Sequence, residues 1–200
     1  MNLIAAIIFA MTLLYAFPAT AQDSPIISFG LANDKPESRA LVDPESGPVI
    51  EGFGDAYPVP EGAWNLSSRK RYKALMDVSD TGAFEMALNP SLDRAARYLN
   101  AHAQNGIKAD RMELAVVFHG EATKDLLTDD AYREEFGVLN PNTSLLEKLA
   151  GAGVKVYVCG QSMAHRGFSE ELLNEDVTIA VSAMTAHVRL QEEGFNLIPF

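Results

Sequence analysis

The chain has 200 residues, 27 of them acidic and 16 basic, for a formal net charge of −11. That balance repels nucleic acid phosphates and anionic lipid, so neither is expected as a partner. Cys159 is the only cysteine, which rules out an intramolecular disulfide.

No Lys, Arg, Asp or Glu occurs in the first 22 residues. An apolar run from Leu3 to Phe17 leads into Ala19-Thr20-Ala21, the h-region and A-x-A cleavage pattern of a signal peptide, although the n-region carries only the terminal amine as positive charge. The run is shorter than the roughly 20 residues that cross a bilayer. Residues 1–21 are therefore expected to be removed, leaving a periplasmic or otherwise exported chain with no membrane insertion after signal removal. No cysteine stands near the cleavage point to carry a lipid. Residues 22–66 hold six of the ten prolines and show no apolar period of 2 or 3.6, so they read as an irregular extension. Its segment GFGDAYPVPEGAW carries enough aromatic and apolar side chains to lie as an ordered strap on a domain surface.

From residue 67 to 200 short apolar runs alternate with helical patterns, which predicts a three-layer α/β domain with a mostly parallel sheet of about five strands. YKALMDV, Tyr72 to Val78, is the first expected strand. Asn89 and Pro90 supply a cap and a first-turn proline, Leu92, Ala95, Ala96, Leu99 and Ala103 form one apolar face, and Asn105-Gly106 stops the helix. Glu113 to Phe118 is a second strand ending in His119-Gly120. A poorly patterned stretch follows, with a short helix expected over Asp129 to Phe136. Asn142 or Thr143 opens a helix that Gly151 and Gly153 close. Val154 to Val158 forms a third strand with Cys159-Gly160 at its end, Val177 to Val181 a fourth, Ala183 to Glu193 a helix, and Phe195 to Ile198 a last strand. Right-handed crossovers would put the functional crevice beyond the C-terminal ends of the strands, where Asp77, His119 and Cys159 lie.

Standard signatures are absent. Gly52-x-Gly54 lacks its third glycine and follows no strand, there is no Walker A sequence, and His119-Gly120-Glu121 has no C-x-x-C partner with which to bind zinc. The histidines at 102, 119, 165 and 187 show no metal-ligand spacing, and His102 beside an apolar stripe reads as structural. Gly160-Gln161-Ser162-Met163-Ala164 approaches the nucleophile elbow G-x-S-x-G, with Asp176 and His187 following in the order of that hydrolase class. Its fifth position is Ala, however, and Ser162 reads better as a helix cap or a loop-binding residue. Cys159 carries the sharper chemistry: a thiol at a strand end, before a glycine turn, lies near the N–H groups of the next helix, where thiolate is stabilised. The competing reading is an inert cysteine packed as a small hydrophobe.

FHGEA after the second strand, the helix start LNPNTSLLEKLAGAGV, the strand VKVYVCGQS and the ending VTIAVSAMTAHVRLQEEGFNLIPF together resemble the DsrE/DsrF-like family, especially its small exported members. The resemblance covers about Tyr72 to Phe200. It implies a parallel α/β sheet, homo-oligomers, and a cysteine that carries sulfur as a persulfide with no cofactor. Cys159 matches that cysteine, and His119 with Gly120 matches a recurrent strand-end pair. Gly160, Gln161 and Ser162 continue the cysteine turn. The functional expectation is sulfur handling with Cys159 as nucleophile, His119 and His165 as thiolate stabilisers or proton donors, and a protein or small molecule as sulfur donor or acceptor. A non-catalytic module that binds a small ligand or assembles with partners is the alternative.

Overall fold

The computed structural model describes residues 42–60 and 66–199. The expected signal peptide, residues 22–41 of the extension and residues 61–65, which include the end of the expected strap, lie outside the described residues. Ten regular elements follow in the order β1 (Tyr72–Val78), α1 (Pro90–Gln104), β2 (Met112–Phe118), α2 (Asp129–Phe136), α3 (Thr143–Gly151), β3 (Lys155–Cys159), α4 (Gly160–Arg166), β4 (Val177–Ala180), α5 (Ala183–Glu192) and β5 (Asn196–Ile198). The five strands form one sheet in the order β4-β3-β2-β1-β5, and every pair is parallel.

Local chemistry accounts for the element ends. The Asn89 side chain accepts the Ser91 N–H at 2.7 Å and Pro90 occupies the first helical position of α1, where its missing N–H costs nothing. Ser182 caps α5 by accepting the Thr185 N–H at 3.1 Å. Thr128 caps α2, which stops at Gly137 in the left-handed region. Two boundaries differ from the sequence reading in ways that matter for the site. The third strand runs one residue further and takes in Cys159, and a seven-residue helix, α4, starts at once after it. Ser162 lies inside α4 rather than capping it. GQSMAHR is too short to show a helical period, and Met163 is its one buried residue.

The sheet has two unequal layers. Alternate residues of the strands, including Met76, Leu114, Val116, Phe118 and Val158, pack against α1 and α3 through Leu92, Leu99, Leu145 and Leu149. On the other face Leu75, Ala115 and Val117 meet Ala186, Leu190 and Phe195 of the α5 segment. Strand β2 is covered on both sides, which is why MELAVVF is apolar almost throughout instead of alternating. The reversal of direction after β4 places α5 on the second face: the chain must travel back over β3, β2 and β1 to add β5 beside β1.

The described part of the extension is an ordered strap. It closes on itself through one antiparallel bridge, Glu45 to Ala56, and buries Ile50 in the main core. Fully buried Asn100 of α1 holds it, accepting the N–H groups of Val49 (3.2 Å) and Ile50 (2.8 Å) and donating to the carbonyls of Ile50 and Phe53, both at 2.9 Å. Gly54 donates to Asp93 at 2.8 Å and passes so close to α1 that a Cβ there would lie 2.3 Å from the Arg97 nitrogen.

Candidate active site at the strand ends

Cys159 closes β3 and is 5% exposed. Burial alone would push its thiol pKa up. The opposing influences are stronger: hydrogen bonds from the Ser162 hydroxyl and from the backbone N–H groups of Ser162, Ala183 and Gln161 bring it below the ordinary cysteine value. Gln161 and Ser162 belong to the first turn of α4 and Ala183 is the first residue of α5. Two helix starts therefore converge on one sulfur atom, each with unpaired N–H groups and the positive end of its dipole.

The glycines permit this convergence. At Gly160 a Cβ would stand 2.9 Å from the Ala180 carbonyl oxygen, so a larger residue would push β4 and the start of α5 away from the thiol. Gly120 has φ +57, a conformation L side chains rarely adopt, and its N–H donates to Ser162 Oγ at 3.0 Å. Ser162 thus serves two strand ends at once: its oxygen accepts from the loop after β2 and its proton goes to the sulfur at the end of β3. Arg166 reinforces the same junction. Its Nε donates to the Gly120 carbonyl at 2.9 Å and its guanidinium pairs with Glu121. Gln161 donates from its side chain to the Val181 carbonyl at 3.2 Å, tying α4 to the turn before α5.

His119 comes one residue after Phe118, which pairs in register with Val158, so His119 and Cys159 leave neighbouring strands at the same level and on the face under α5. Its imidazole turns back along the sheet to Asp77, with Nε2 at 3.1 Å from Oδ1 and 3.2 Å from Oδ2. A second imidazole reaches the same carboxylate. His187 on α5 has Nε2 at 3.0 Å from Asp77 Oδ1, close but out of line for a hydrogen bond, and that nitrogen is buried. Among the described residues no group of three or more His, Cys, Asp or Glu forms a metal site.

The structure therefore brings together Cys159, Gly160, Gln161, Ser162 and Gly120, with His119 at the adjacent strand end and its imidazole on Asp77. It does not bring His165 to them: that residue is exposed near the C-terminal end of α4, and no hydrogen bond links it to Cys159. No hydrogen bond joins Ser162, Asp176 and His187 into a hydrolytic triad among the described residues, and His187 meets Asp77 instead. His102 is packed between Tyr98 and Tyr72 with Nδ1 2.7 Å from the Tyr98 carbonyl, and burial lowers its pKa. The sequence offered signals for two further site residues. Asp77 is a charged residue in an otherwise apolar strand, and His187 sits one helical turn after Ala183, but only the strand order shows that they meet.

A model of the DsrE/DsrF-like family matches residues 73–200, from the second residue of β1 to the C-terminus. The chain belongs to that family. Among solved structures, the DsrE-like domain is similar to a protein of unknown function from Methanobacterium thermoautotrophicum, at 20% sequence identity and a TM-score of 0.46, over 64% of this chain and 97% of that one. No curated protein matches the chain.

Proposed function

We propose that this DsrE-like protein handles sulfur outside the cytoplasm, with Cys159 as the atom that carries it as a persulfide. The observation that supports this most is the set of donors around the Cys159 sulfur, three backbone N–H groups and the Ser162 hydroxyl, which stabilise a thiolate despite its burial. A thiolate is the nucleophile in sulfur transfer, and a cysteine that merely filled space would gain nothing from such donors. Gly120, Gly160 and Gln161 shape the turn, and His119 is the imidazole nearest in register. No cofactor is needed for the transfer. The partner is a small molecule or a protein that brings or takes sulfane sulfur.

Low exposure of Cys159 supports a second reading, a non-catalytic ligand-binding or assembly module in which the thiol packs. Intact-mass measurement separates the two. Protein purified without reductant and treated with a persulfide donor should gain one sulfur on Cys159, reversibly with thiol. A thiol that resists alkylation in the folded state and gains no sulfur establishes the packing reading. Export and self-association belong to the same proposal. The apolar N-terminal run supports the first, and exposed Val181, Met184 and Val188 beside the site support the second. N-terminal mapping and light scattering of exported material test them, with Met1 retained or a monomer mass as the contrary results.

A further inference from the structure

Asp77 is bracketed by two imidazoles from different elements, with His119 from the end of β2 at 3.1 Å and His187 from α5 at 3.0 Å on the same oxygen. All three lie on the sheet face under α5, the face that also carries Cys159. Residues 77 and 117 are paired in register, as are 117 and 157, and side chains alternate along each strand, so positions 77, 119 and 159 point to one side. The helix above joins the two groups. Ala183, whose N–H reaches the Cys159 sulfur, and His187, whose ring reaches Asp77, are four residues apart on one face of α5.

The tautomer follows from the contacts. With Nε2 of His119 against a carboxylate, the proton sits on Nε2, and Nδ1 is left with a lone pair on the side away from Asp77. Cys159 follows Val158 as His119 follows Phe118, and those two are register partners, so the two residues leave adjacent strands whose backbones lie about 4.8 Å apart. We infer that His119 is the proton carrier for sulfur transfer at Cys159, and that Asp77, with His187 packed against the same carboxylate, is the residue that positions it and balances its charge. This rests on the sulfur-handling reading above.

The step balances with one proton and no external oxidant or reductant. His119 Nδ1 takes the thiol proton of Cys159. The thiolate attacks the terminal sulfur of a donor persulfide R–S–SH, the Sγ–S bond forms, the donor S–S bond breaks, and its electron pair leaves on R–S⁻. The His119 imidazolium then protonates R–S⁻. The sum is Cys–SH plus R–S–SH giving Cys–S–SH plus R–SH. Asp77 stabilises the imidazolium between the two transfers. The second imidazole, His187, packs against the same carboxylate from the helix that supplies the Ala183 N–H.

Leaving-group dependence tests this: an acidic thiolate departs readily without help, so losing a proton donor slows transfer from a basic leaving thiolate far more than from an acidic one. Sulfur uptake on Cys159 would be timed with an alkyl persulfide and with an aryl persulfide, whose leaving thiol is far more acidic. With the alkyl donor Asp77→Asn and His119→Gln should each slow uptake by about 10²-fold, and the double variant should be no slower than either alone. With the aryl donor the deficit should shrink to a few-fold. Asp77→Glu should recover part of the alkyl rate, and alkylation of the fully formed thiolate at high pH should match wild type in all variants. Equal losses with both donors, or none, would overturn the inference while leaving Cys159 as a carrier. Failure of the wild type to take up sulfur from either donor would overturn both.

Discussion

Ser162 Oγ accepts the Gly120 N–H at 3.0 Å while its proton is directed to the Cys159 sulfur, so one hydroxyl couples the loop after β2 to the thiol at the end of β3. The bond runs between residues 42 positions apart and crosses from one strand end to its neighbour.

Ser162→Ala removes both interactions. The Cys159 thiol should titrate higher than in wild type, since burial then acts against fewer donors, and alkylation at neutral pH should slow. Stability should fall by about 1 kcal/mol for the lost hydrogen bond to Gly120. Iodoacetamide rates across pH together with a urea titration check both parts, and an unchanged rate profile would remove Ser162 from the site.

The direction of the Cys159 shift also makes stability depend on pH. A group whose pKa is depressed on folding contributes stability that is present above the unfolded-chain value and is lost as pH falls through the folded value. Wild type should therefore lose stability relative to Cys159→Ser as pH is lowered through the titration of the folded thiol. Paired denaturant titrations at stepped pH report this difference. Parallel curves for the two proteins would show that the thiol is not stabilised as thiolate.

Gly160→Ala places a methyl group 2.9 Å from the Ala180 carbonyl oxygen, which belongs to a paired strand and cannot turn aside. The expected cost is about 1–3 kcal/mol, as for overpacking elsewhere. The shift of β4 should also draw the Ala183 N–H from the sulfur and raise the thiol pKa. Amide exchange at Ala180 and Ala183 would reveal the displacement.

Asn100→Ala should release the strap. The buried N–H of Ile50 would lose its acceptor at a cost of about 1–3 kcal/mol, and the part-buried N–H of Val49 would lose the same acceptor at a smaller cost. Faster hydrogen exchange at Val49 and Ile50, with the Cys159 alkylation rate unchanged, is the expected pattern. Slower alkylation would mean that the strap supports the site through α1.

The elements with local instructions were readable from the chain alone. Asn89-Pro90 and Asn105-Gly106 bound α1 because caps act within a few residues, and the apolar runs of β1 and β2 mark buried parallel strands. The length of α4 was not readable, since seven residues hold too little of a helical period to stand out. For the same reason Ser162, which lies inside that short helix, read as a helix cap or a loop-binding residue. Its hydroxyl is used across the fold by Gly120, and no spacing in the sequence records that.

By itself the sequence determined a parallel α/β domain of the DsrE/DsrF-like family with one cysteine at a strand end, because hydrophobic period, capping residues and turn glycines are written in neighbouring positions. Tertiary structure alone decided what surrounds that cysteine. The order β4-β3-β2-β1-β5 sends α5 back across the second face, which puts Ala183 over Cys159 and His187 over Asp77. Positions 77 and 187 meet only because the sheet adds its last strand beside its first, and that choice is made by how the two faces are buried, not by any local pattern.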